Sequence, residues 1–111
     1  MSSDLDLVYG ALADPTRRTI IERLHQSDAT VAELRTMFDI SAPAVSKHLR
    51  VLESAGLMER SPAGRYRRCR LRHGRLVEAR RWLEEQTAFW ESTLDSLADH
   101  LGEPGRTEPG E

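Results

Sequence analysis

The sequence predicts a mainly α-helical fold that carries one small β-hairpin. Three observations lead there: apolar residues recur at helical spacing through most of the chain, one short stretch alternates around a Pro-Ala-Gly turn, and charge is segregated along the chain. The chain has 111 residues, 39% of them apolar, which suits one small core and excludes a deep cavity with a separate substrate domain. The expected organisation is one domain over residues 1–101 and a disordered tail over 102–111, GEPGRTEPGE.

The first helix is carried by Leu5, Val8 and Leu12. Asp14 then reads as an N-cap with Pro15 at the first helical position, where a missing N–H costs nothing, and Ile20, Ile21 and Leu24 continue the second helix. Thr30 and Glu33 fit a capping box for a third helix with Val31, Leu34 and Phe38 as its inner stripe, ending near Asp39. Ser41 caps a fourth helix that tolerates Pro43 in its first turn and stops at Gly56. At about 100° per residue, Val45, Leu49 and Leu52 fall on one narrow arc, while Pro43, Ser46, Lys47 and Arg50 fall on the opposite one. Two short helices joined by a tight turn, the second with a polar outer face, make a helix-turn-helix whose second helix can enter a major groove.

LMERSPAGRYRRCRL reads as two short strands around a Ser61-Pro62-Ala63-Gly64 turn, with Leu57, Cys69 and Leu71 inward and arginines outward. A basic hairpin directly after a helix-turn-helix is a wing, so the predicted architecture is a winged helix-turn-helix of about five helices plus a two-stranded wing. Residues 75–101 form the last helix, apolar over a wide arc. Leu83, Trp90, Leu94, Leu97 and Leu101 form one stripe of it, with Trp82 and Phe89 beside them. One side of such a helix can face its own core; the other is most simply covered by a second copy of the chain.

Charge supports a polyanionic partner. Residues 1–39 carry 4 basic and 7 acidic side chains, residues 40–81 carry 11 and 3, and residues 82–111 carry 1 and 8. The local balances are therefore −3, +8 and −7 around a net charge of −2, and the local field is what a nucleic acid meets. No apolar run reaches the roughly 20 residues needed to span a bilayer and no signal-peptide core follows Met1, so a cytoplasmic protein with no membrane partner is expected. Cys69 stands alone, which excludes an intrachain disulfide and a paired-cysteine metal knuckle. No Ser/His/Asp set, catalytic carboxylate pair, phosphate-binding glycine loop or metal cluster is present, so neither an enzyme nor a cofactor is expected.

ALADPTRRTIIERL and TVAEL…FDISAPAVSKHLRVLESAGLMERSPAGRYRRCRL, together spanning residues 11–71, resemble the ArsR (ArsR/SmtB) family of bacterial winged-helix repressors. The run S-x-P-A-V-S-x-H-L-x-V-L-x-x-A-G-L carries most of the resemblance, and the helix to residue 101 fits the family's C-terminal dimerisation helix. The resemblance implies a homodimer that binds an inverted-repeat operator in double-stranded DNA and represses transcription, often of its own operon. It places Ser41, Pro43, Ser46, Lys47 and Arg50 at recognition-helix positions. Ser41 and Ser46 would meet phosphate or base edges and Lys47 phosphate, while Arg50 reaches either a guanine edge or a phosphate. Arg65, Tyr66, Arg67 and Arg68 match the wing, and His48, between the two helix faces, is structural or a phosphate contact. The expected dimer contacts are Leu5, Val8, Trp82, Phe89, Trp90, Leu94, Leu97 and Leu101.

Many relatives of this kind release DNA when a metal binds, but the known ligand patterns are missing. Thr30-Val31-Ala32-Glu33-Leu34 has no Cys-x-Cys pair, and Asp95, Asp99 and His100 lack a second histidine at helical spacing. The chain instead resembles family members with an aromatic dimer helix and no metal site. Trp82 and Trp90 are then packing residues; the alternative is that they line a pocket for an apolar small-molecule effector such as a fatty acid. Cys69 reads as a small buried hydrophobe, with a thiol switch as its alternative. Against the regulator stands one competitor of another class, a winged-helix dimerisation adaptor that does not bind DNA.

Overall fold

The computed structural model describes residues 3–102. Its first element, α1 (Ser3–Leu12), turns at Ala13 into α2 (Pro15–Gln26). Asp14 caps α2 as expected, accepting the Arg17 backbone N–H at 3.1 Å with Pro15 in the first turn. Two residues of strand β1 (Ala29–Thr30) precede α3 (Val31–Arg35), and the Thr30/Glu33 capping box is complete, at 3.0 Å and 2.8 Å. Next come α4 (Ala42–Ser54), β2 (Met58–Ala63), β3 (Tyr66–Leu71) and α5 (Gly74–Leu101). Apart from Gly102, the tail expected over 102–111 lies outside the described residues. Contacts divide the chain into one unit through Ala79 and another from Arg80 onward, the boundary falling within α5. Among the described residues no helix is long and apolar enough to cross a membrane.

Three local features differ from expectation. The third helix stops at Arg35 and not near Asp39: the Thr36 hydroxyl donates to the Glu33 carbonyl at 2.7 Å, and the Met37 and Phe38 N–H groups turn to i→i−3 carbonyls at 3.1 Å and 3.4 Å, which tightens and ends the helix. The sheet has three strands in the order β1-β3-β2, because Ala29 and Thr30 pair with Cys69 and Arg68. Two residues are too short to show any alternation in sequence. The wing turn is Gly64-Arg65, with Ala63 opposite Tyr66, so Pro62 lies inside β2. β2 is an edge strand, where a missing N–H is tolerated, and Gly64 supplies the positive φ of 66° that a two-residue hairpin needs at its first position.

The core lies in the first unit. Val8, Ile20, Leu24, Leu34, Val45, Leu49, Leu52, Leu57, Met58, Cys69 and Leu71 form one buried cluster, with Leu5, Leu12, Val31 and Phe38 packed on its margin. The inner stripe of α4 and the inward positions of the hairpin therefore fall where their spacing put them. α4 ends in a Schellman motif: Leu57 N–H donates to the Leu52 carbonyl and Gly56 N–H to that of Glu53, both at 3.0 Å, with Gly56 at φ 74°. A Cβ on Gly56 would also meet the Arg75 side chain at 3.0 Å. Gly56→Ala is expected to cost about 1–2 kcal/mol, the penalty for an L-residue in the left-handed region, measured by urea unfolding.

Candidate nucleic-acid interface

The outer side of α4 is built by the same turns that bury its inner side. Ser41, Pro43, Lys47 and Arg50 are exposed, and Ser46 is half-buried. The Ser41 oxygen accepts the Ala44 N–H at 3.2 Å as the helix cap, which leaves its O–H free to donate to an incoming acceptor.

Strand alternation sorts the wing. Met58, Arg60 and Pro62 face the core side opposite Leu71, Cys69 and Arg67, while Tyr66, Arg68 and Arg70 face away from it. Arg60 reaches from this inner face to Glu53 near the end of α4, with Nη2 and Oε1 2.6 Å apart. That contact clips the wing to the recognition helix. The hydrogen bond from Arg60 holds the Glu53 carboxyl below its ordinary value; partial desolvation opposes this, and the charges of Arg60, Arg67 and Arg50 reinforce it. The charges of Arg50 on the helix and Arg67 on the wing thus both act on one carboxylate.

A depressed carboxyl stabilises the folded state above its unfolded value of 4.5, and that contribution is lost as pH falls through the lower folded value. Wild type is accordingly expected to lose more thermal stability than Glu53→Gln between neutral pH and about pH 3, as read by melting at each pH.

Five of the nine arginines between residues 60 and 81 are engaged by the chain's own carboxylates. Arg70 and Arg72 both approach Glu59, Arg75 binds Asp4 and Glu78, and Arg80 lies beside Glu84. Arg65, Arg67 and Arg68 of the wing, and Lys47 and Arg50 of α4, make no hydrogen bond or ion pair among the described residues. With Arg81 of α5 and Arg35 of α3, which likewise make none, the cations left available thus include those on the recognition helix and around the wing tip. Tyr66 is exposed beside them.

His48 is half-buried and held by its own chain: Arg17 Nη1 lies 3.1 Å from its Nδ1, and Asp14 Oδ2 lies 3.8 Å away. Desolvation pushes the Asp14 carboxyl up, but the Arg17 backbone N–H, the His48 and Arg17 side chains and the Thr16 N–H outweigh it and hold it below the ordinary range. Burial pushes the Cys69 thiol up to about 11, so it stays protonated at neutral pH. Among the described residues no group of three or more His, Cys, Asp or Glu side chains is placed to hold a metal ion.

The expected dimer contacts divide. Trp82, Phe89, Trp90, Leu94, Leu97 and Leu101 are between 44% and 63% exposed along α5. Val8 is 1% exposed, taken up by the core of its own chain, and Leu5 is half-buried, packed against that core on one side. The outward apolar residue of α1 is Leu7, 48% exposed, and sequence reading missed it because Leu5, Leu7 and Val8 are apolar neighbours with no signal of phase. Arg17 and the Glu53–Arg60 clip were also missed, since no local pattern announces either.

A helix-turn-helix with free cations on the outer face of its second helix and more at the tip of an adjoining hairpin defines a winged-helix DNA-binding protein. Comparison with known proteins agrees. Residues 14–60 match the model for bacterial regulatory proteins of the arsR family. The HTH-type transcriptional regulator Rv2034 of Mycobacterium tuberculosis is 39% identical over 100 residues, 90% of this chain and 91% of that protein. The transcriptional repressor SdpR of Bacillus subtilis is 36% identical over 59 residues, 53% of this chain and 66% of its own. An ArsR-like transcriptional regulator from Rhodococcus sp. RHA1 superposes with a TM-score of 0.77 at 33% identity, covering 87% of this chain and 92% of that one. The chain belongs to the arsR family, and it is a DNA-binding transcriptional regulator.

Proposed function

We propose that the protein works as a homodimeric repressor on an inverted-repeat operator, with one α4 helix in each of two successive major grooves about 34 Å apart. The observation that carries this reading is the set of unpaired cations, Lys47 and Arg50 on α4 and Arg65, Arg67 and Arg68 on the wing, gathered on one unit of a regulator family. Lys47, Ser41 and Ser46 anchor phosphates, Pro43 shapes the first turn that meets the backbone, Arg50 reads a base edge or grips a phosphate, and the wing residues with Tyr66 follow the flanking backbone. The exposed apolar residues of α5 support pairing with a second copy, since so large a set is otherwise left in water. Repression follows from occupancy of the operator, as the description of the Bacillus relative suggests.

The test is fluorescence anisotropy on DNA from the region upstream of the gene, against scrambled DNA, over a salt series, with sedimentation to fix the oligomeric state. Selective binding by a dimer, weakening steeply with salt, is the expected result. A dimer that ignores DNA at low salt would replace the regulator reading with the adaptor.

A further inference from the structure

Arg17 stands where three helices meet. Its Nε donates to the Ala11 carbonyl at 2.8 Å and its Nη2 to the Gly10 carbonyl at 3.0 Å, two carbonyls in the last turn of α1. Its backbone N–H is bound by Asp14 at the start of α2, and its Nη1 lies 3.1 Å from Nδ1 of His48 in the middle of α4. An arginine only donates, so this hydrogen bond requires the tautomer in which Nδ1 accepts and Nε2 carries the ring proton. All three guanidinium nitrogens are therefore committed in one rigid plane, to fixed points on α1 and to one side chain of the recognition helix.

Apart from the Glu53–Arg60 clip to the wing, α4 is held to the core by the apolar side chains of Val45, Leu49, Val51 and Leu52. Apolar packing holds a helix in place but has little directional preference, so it leaves rotation about the helix axis soft. A planar, hydrogen-bonded fork supplies direction on the α1 side of the helix, where the Glu53–Arg60 clip does not reach. His48 directly follows Lys47 and lies two residues before Arg50, so any turn of α4 about its axis moves the two free cations together.

We propose that Arg17 and His48 form a positioning pair that sets the rotation at which α4 is presented to DNA. This rests on the operator-binding reading above, and the experiment separates the two. A DNA site is first selected from a randomised pool by the wild-type protein. Arg17→Gln, His48→Ala, the double variant and His48→Asn are then compared for affinity to that site, salt slope, thermal unfolding and hydrogen exchange of the α4 amides. Each single variant is expected to bind about tenfold or more weakly, as for loss of a charge-assisted hydrogen bond, with the salt slope of wild type. The double variant should be no weaker than the weaker single one, and His48→Asn, whose amide oxygen can take the place of Nδ1, should recover most of the loss.

Lowered melting temperatures with unchanged affinity would reduce the pair to a structural contact and overturn the proposal. Additive losses would show that the two residues do not act as a pair. A shallower salt slope in His48→Ala would make His48 a phosphate contact instead. If no selective site emerges, the operator reading fails on its own account, and the pair is judged by exchange: α4 amides unprotected equally in both singles and no further in the double support it, and unchanged α4 protection refutes it.

Discussion

Arg50→Ala is expected to weaken binding to the operator by about 1–3 kcal/mol per subunit while leaving thermal unfolding where it was. The side chain is exposed and makes no hydrogen bond or ion pair among the described residues, so its removal costs the folded chain only a through-space attraction to Glu53. The pattern of the loss distinguishes two contacts. A base contact relaxes the consensus at one position of each half-site and leaves other sequences little affected. A phosphate contact weakens all sequences alike and makes the salt dependence shallower by about two charges per dimer, one from each subunit. Titration of a panel of single-base operator variants, at two salt concentrations, reads both. Loss of neither affinity nor selectivity would remove α4 from the interface.

The residue just before it in the chain behaves oppositely. Leu49→Ala is expected to destabilise the protein by about 2–5 kcal/mol, because the side chain is 0% exposed and its removal leaves a cavity at the centre of the first unit. Against a total stability of about 5–15 kcal/mol for a domain, that is a large share. Urea unfolding should show the midpoint falling with little change of slope, and DNA affinity should fall only to the extent that the folded fraction does. Leu49 and Arg50 are thus a matched pair, one acting through stability and the other through contact.

Much of this was legible beforehand because it is local. Asp14, Thr30 with Glu33, Ser41 and Gly56 mark helix ends through hydrogen bonds made within a few residues, and each works as its residue type requires. The inner arc of α4 was legible for the same reason, from a period set by its own backbone. What stayed hidden depends on partners far along the chain. β1 exists only because β3 lies beside it, and Pro62 can sit within a strand only because β2 ends up at the sheet edge. The division of the arginines was hidden too. Whether Arg60 or Arg67 is free is decided by which carboxylate the hairpin register brings near, and composition counts both alike. The basic region was legible in the sequence, but its available charge was overcounted.

Pro62 has a further effect on how molecules of this protein coexist. The outer rim of β2 is an unpaired row of backbone donors and acceptors, the kind of surface on which strands from separate molecules zip together into a growing sheet. Pro62 interrupts that row by deleting one donor, and the cationic wing beside it adds repulsion between like rims. On the operator-binding reading proposed above, the wing stays bare to reach DNA, so it cannot be shielded by covering it. The ring of one proline lets the strand remain open to a nucleic acid and closed to its own kind.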